Sequence, residues 1–117
     1  MLKMNIIWRR CVLSSKCRLN KLNLSNQYFD NLVGVYVIWR TNNENKTICV
    51  GSGIIRDKLN EMKLNAEVQN FGSDLFVTWA DVPTVSLDGV LTFLYEQLKP
   101  VVNFVNPGLE PITVNLP

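Results

Sequence analysis

The sequence contains no histidine at all. The commonest neutral-pH proton shuttle and the commonest transition-metal ligand are therefore both missing. Cysteine is scarce: Cys11, Cys17 and Cys49 make an odd number, with no secretory signal ahead of them. A zinc site built on them would need a fourth ligand from Asp or Glu, which structural sites rarely use. The expectation is buried thiols in reduced surroundings, no metal, and a cytoplasmic location. No apolar run approaches the ~18–20 residues of a membrane-spanning helix, so no membrane partner is expected. Acid is absent from residues 1–29, which carry Lys3, Arg9, Arg10, Lys16, Arg18 and Lys21. An acid-free, Arg- and Ser-containing start is also the composition of a transit peptide, which keeps an organelle matrix open.

What is present is ordinary for a folded domain. Hydrophobic residues make up 47% of the 117 positions and charged ones 19%, too apolar for disorder. The net charge of +2 divides unevenly. Past residue 29 the acids outnumber the bases, so a basic arm precedes a mildly acidic body. Such an arm can grip phosphates or simply be a solvated face.

Periodicity gives the organisation. Residues 6–13 read as a strand and 22–27 as a turn. Residues 32–40, rich in β-branched and aromatic side chains, run into the turn cluster at 41–46 and pair with 47–51 as a hairpin. Residues 54–63 have helical spacing, with Ile55, Leu59 and Met62 on one face. A strand over 74–82 is bounded by Pro83. A helix over 86–98 starts at a Ser86 cap and stops at Pro100. Its apolar arc exceeds half a turn, which implies burial on more than one side, against the N-terminal element or a second chain. Asp88, Thr92, Glu96 and Lys99 form its polar stripe. The order β-β-α-β-α predicts an α+β fold, a small antiparallel sheet of about three core strands flanked by helices. Residues 1–31 are an extra basic N-terminal element, 32–106 the body, and 107–117 an extended Pro-containing tail.

Gly34-Val35-Tyr36, a turn, Cys49-Val50-Gly51, a helix opening at Ile54, a strand, and a helix closing on Pro100 and Asn103 together resemble the GIY-YIG endonuclease family over roughly residues 32–103. The resemblance implies a phosphodiesterase site with two tyrosines, a helix Arg, a His or Tyr one turn later, and a Glu that holds a divalent metal. Tyr36 matches the first tyrosine. Cys49 replaces the second and Lys58 the Arg, which keeps the charge without the bidentate fork. Arg56 is about 200° from Lys58 around the helix. Met62 stands at the His or Tyr position, and the Glu position falls on Leu91. Glu96 lies about 140° further round.

Catalysis is accordingly expected to be lost, with Tyr36 and Lys58 as remnants and no cofactor. Gly34, Gly51, Gly53, Pro100 and Asn103 are expected to be structural. Three readings stay open. One is a nucleic-acid-binding module for DNA or RNA through Arg9, Arg10, Lys16, Arg18, Lys21, Ser52 and Lys58. Another is a protein-interaction or accessory subunit of a larger assembly, its wide apolar helix covered by a protein partner or by a second copy in a homodimer. The third is a weak Mg²⁺-dependent nuclease that recruits Asp57, Glu61 or Glu96. Trp8, Trp39 and Trp79 can stack on bases but sit on three separate strands, where packing is the simpler role.

Overall fold

The computed structural model describes residues 3–9, 17–41, 45–72, 74–104 and 106–117. Its strands are β1 (Lys3–Met4), β2 (Trp8–Arg9), β3 (Cys17–Arg18), β4 (Val33–Thr41), β5 (Asn45–Ile54), β6 (Leu75–Asp81) and β7 (Thr113–Val114). Its helices are α1 (Ile55–Leu64), α2 (Ala66–Gln69) and α3 (Leu87–Leu98). The fold is α+β, and the segment from β4 to α3 follows the expected order with the one-turn α2 added. Asn65 explains that addition: its side chain accepts the Val68 N–H and so caps a new turn.

The main sheet is antiparallel in the order β2-β6-β4-β5, with β3 also on β6. Side chains alternate across it. On one face Tyr36, Ile38, Cys49, Val77 and Trp79 meet Ile55, Leu59 and Met62 of α1, together with Leu19, Leu24 and Phe29 from the N-terminal segment. On the other face Val35, Val37, Val50 and Ala80 meet Val90, Leu91, Leu94 and Tyr95 of α3. The sheet is thus the middle of three layers. A bulge after Ile38 lets both Ile48 and Cys49 reach the α1 side.

Arg56 explains how the N-terminal segment stays docked. Its guanidinium donates to the carbonyls of Leu24 and Asn26 and to Asp30, at 2.7, 2.9 and 2.7 Å. It is fully engaged there, away from Lys58.

The tail solves the problem of the wide apolar arc. Ile112 lies on Gly89, and its N–H donates to the Gly89 carbonyl at 3.0 Å. Thr92, expected on a polar stripe, is buried. Its hydroxyl donates to the Asp88 carbonyl and accepts the Leu109 N–H. The second covering of α3 is therefore the chain's own C-terminal segment. β7 then pairs in parallel with β1. Asn115 ties the two ends together, accepting from the Ile6 N–H and donating back to the Ile6 carbonyl.

Three expectations are corrected. Ser86 makes no side-chain cap, because residues 84–86 form a 3₁₀ turn and its backbone is already helical. Of the strand expected over 6–13, the described part pairs only at Trp8–Arg9, since Ile6 bonds to Asn115 instead; residues 10–13 lie outside the described residues. Cys17 is disulfide-bonded, not a free thiol. The hairpin tip, 42–44, and Cys11 also lie outside the described residues. Among the described residues no helix is long and apolar enough to cross a membrane.

Candidate functional site

Tyr36 sits at the centre of β4, paired with Gly51 on β5 and with Trp79 on β6. Directly opposed residues of an antiparallel pair share a face. The Tyr36 ring therefore points across β5, and glycine makes that possible: a Cβ at position 51 would run into the Tyr36 ring and hydroxyl. The phenol passes over the strand and emerges at the outer edge of the sheet, where a cavity of about 440 Å³ opens.

Three elements converge on this cavity. The hairpin supplies Tyr36, Gly51 and Ser52. Helix α1 contributes Lys58, Glu61 and Met62. Helix α3 contributes Asp88, Leu91 and Tyr95, and Phe104 and Pro107 close the remaining side. Spacings of three and four put Lys58, Glu61 and Met62 on adjacent parts of one helix surface, and likewise Asp88, Leu91 and Tyr95. Below the cavity the edge of β5 is covered: the Val101 and Val102 N–H groups donate to the Thr47 and Ile48 carbonyls at 3.2 and 2.8 Å. Pro100, which starts this covering segment, is buried, and Asn103 is exposed. The Phe104 N–H donates to the Tyr95 hydroxyl, which fixes the segment's exit over the cavity.

The electrostatics do not favour an anion. Among the described residues the cavity holds two carboxylates, Glu61 and Asp88, against the single ammonium of Lys58. Lys58 and Glu61 approach to 3.8 Å with both side chains well solvated, a pair of little energetic weight. Burial, then the neighbouring Cys49, Glu61 and Tyr95, push the Tyr36 phenol well above its ordinary pKa. It is therefore a neutral hydroxyl at working pH, whereas a general base needs a pKa near the operating pH. Tyr36 is 3% exposed, and its hydroxyl has no hydrogen-bond partner among the described residues.

The divalent ion implied by the resemblance does not fit these donors. The aliphatic Leu91 lines the cavity at the position where a carboxylate would be required. Among the described residues no group of three or more His, Cys, Asp or Glu side chains could hold a metal. Of the candidate replacement acids, Glu61 reaches the cavity, while Asp57 and Glu96 are exposed and do not line it.

The expected site residues divide sharply. Tyr36, Gly51, Ser52 and Lys58 come together. Gly53, at φ +133°, carries the Lys58 stem across it, with Cε 3.1 Å from where a Cβ would be. Gly34 packs against the Ala80 carbonyl. The basic arm is elsewhere. Arg9 and Arg18 pair along β6, two strands from β5, and on opposite faces of the sheet: Arg9 is opposite Trp79 and Arg18 opposite Phe76. Arg18 also lies over the Phe76 ring and 3.3 Å from Asp74. Lys21 is exposed, and Arg10 and Lys16 lie outside the described residues. Trp79 is buried, and Trp8 and Trp39 spend their N–H groups on the Asn115 carbonyl and the Thr78 hydroxyl.

Asp88, Tyr95, Phe104 and Pro107 escaped the sequence reading as site residues. For Asp88 and Tyr95 the signal existed: both lie on one helical face with Leu91. For Phe104 and Pro107 no periodic signal exists, because their placement depends on how the tail crosses α3.

Cys49 is fully buried and makes no disulfide; burial pushes its thiol up to about 12. A thiolate-selective reagent such as Ellman's reagent at pH 8 is expected to leave Cys49 untouched in the native protein and to modify it fully in denaturant. Rapid native labelling at Cys49 would show that β5 opens locally. No protein-family profile matches the chain, and no curated protein or solved structure matches it significantly.

Proposed function

We propose that this chain is a GIY-YIG-like domain that binds instead of cutting, and that its working surface is a protein-interaction site at the Tyr36 cavity. The observation that carries this reading is the composition of the cavity: two carboxylates face one ammonium, an aliphatic wall stands at the metal-ligand position, and the phenol is held neutral. Such a cavity repels a polyanionic backbone and supplies neither a phenolate base nor a metal-binding ligand set. Phe104, at its border, is 38% exposed and adds apolar surface to the rim.

A second reading has its own support. Lys3, Arg9, Arg18 and Lys21 are solvent-exposed on the N-terminal side, where they could hold phosphates independently of the cavity. A single pair of assays separates the possibilities. Purified protein incubated with single- and double-stranded DNA and RNA plus Mg²⁺ or Mn²⁺ is expected to cut none of them. Any binding to these nucleic acids is expected to weaken steeply with salt and to be unchanged by Lys58→Ala. Metal-dependent cutting abolished by Tyr36→Phe would overturn the proposal in favour of a rearranged nuclease site using Glu61. Salt-resistant binding lost in Lys58→Ala would overturn it in favour of a nucleic-acid cleft.

A further inference from the structure

Resting on the protein-interaction reading, we infer that the Tyr36 cavity takes an arginine side chain presented by a partner protein. Two independent observations meet here. The first is charge: Asp88 faces the cavity with no ion-pair or hydrogen-bond partner for its carboxylate among the described residues, and Glu61 is engaged only loosely, by Lys58 at 3.8 Å. The second is the Tyr36 hydroxyl, on a side chain that is 97% buried in the sense that only 3% of its surface is exposed. It opens into the cavity without a partner among the described residues, and Gly51 is what allows it to get there.

A ligand that satisfies these groups must bring several donors and positive charge to one end. The remaining walls, Met62, Leu91 and Phe104, are apolar and suit an aliphatic stem. A guanidinium on a three-carbon stem has this build. It offers five N–H donors in a planar fork, pairs with carboxylates, and is weakly hydrated, so it enters a half-buried site at lower cost than an ammonium. Its stem lies along apolar surface while its head meets acceptors. Asp88 and Glu61 accept from the fork, and the neutral Tyr36 oxygen accepts a further N–H. The reach of the Tyr36 ring across β5 brings a neutral acceptor into the cavity that Glu61 and Asp88 also line.

The test uses the full chain, with ¹H–¹⁵N spectra recorded during titration at low salt. The probes are an acetylated and amidated Gly-Arg-Gly tripeptide, its citrulline counterpart, which keeps the shape and loses the charge, and an oligothymidylate. The arginine peptide is expected to shift the Gly51, Ser52 and Asp88 amides saturably. Its affinity is expected to fall about tenfold in Asp88→Asn, the equivalent of one lost charged contact at a partly solvated site, and by a few-fold in Tyr36→Phe. The citrulline peptide is expected to leave these amides unmoved. Equal response to citrulline, shifts only outside the cavity, or no response to the arginine peptide up to about 10 mM, a range covering even very weak binding, would overturn the inference. If the oligonucleotide shifts the same amides and the peptide does not, the protein-interaction reading falls with it. If neither does, the arginine inference alone falls.

Discussion

Trp79→Ala is expected to destabilise the protein by about 3–5 kcal/mol, the usual cost of deleting a buried tryptophan side chain. Trp79 is 3% exposed at the middle of β6. Its ring lies 5.5 Å from Phe29 and 6.1 Å from Tyr28, and its N–H donates to the Tyr28 hydroxyl at 3.2 Å. These contacts fasten the N-terminal segment to the sheet face that also carries Tyr36. Domains of this size are stable by only about 5–15 kcal/mol in total, so the substitution removes a large part of the margin. Urea unfolding followed by circular dichroism reads the effect as a lowered midpoint at unchanged slope. Trp79→Phe keeps most of the apolar area and is expected to cost markedly less. A loss below about 1 kcal/mol for Trp79→Ala, the centre of the range for ordinary substitutions, would mean that the aromatic cluster does not hold the segment.

The second large effect is expected at Gly51. Gly51→Val forces the Tyr36 ring off the strand, and overpacking of this kind typically costs about 1–3 kcal/mol. Tyr36→Phe is expected to change stability by no more than about 0.5 kcal/mol, because the hydroxyl it removes has no hydrogen-bond partner among the described residues. The combination is more informative than either alone. In a Tyr36→Ala background the obstacle to a side chain at position 51 is gone, and β-branched residues are favoured in strands. Gly51→Val should then become neutral or stabilising, a coupling within the ~0.5–3 kcal/mol seen for residues in direct contact. Additive losses in the double variant would show that Gly51 is needed for its backbone and not for the passage of the ring.

The value of this pair of substitutions extends to function. Position 51 decides whether the Tyr36 hydroxyl reaches the cavity at all. Arginine-peptide binding should therefore weaken in Gly51→Val at least as much as in Tyr36→Phe, even under conditions where the variant remains folded.

Much of the architecture was legible before any coordinates. The β-branched and aromatic run over 32–40, the turn cluster after Arg40, and the helical spacing of Ile55, Leu59 and Met62 indicated the hairpin and the first helix. These are local signals: strand composition between turn residues and a 3.6-residue period follow directly from backbone geometry. That Leu91 shares a face with Asp88 and Tyr95 was also readable by counting along α3, since a helix converts sequence distance into angle.

Other features depend on groups far apart in the chain. Thr92 reads as polar and exposed, yet it is buried and bonded by the Leu109 N–H of the tail. The basic residues before position 30 read as one patch, yet strand pairing along β6 sends Arg9 and Arg18 to opposite faces. Glu61 and Asp88 are separated in sequence, and their meeting at one cavity is set by two helices packing on opposite sides of the β5 edge. Sequence by itself determined the hairpin, helices α1 and α3 and strand β6, because these are matters of periodicity within a segment. Only the tertiary structure decided the sign of charge at the Tyr36 cavity, because that charge is summed across segments whose proximity is created by packing.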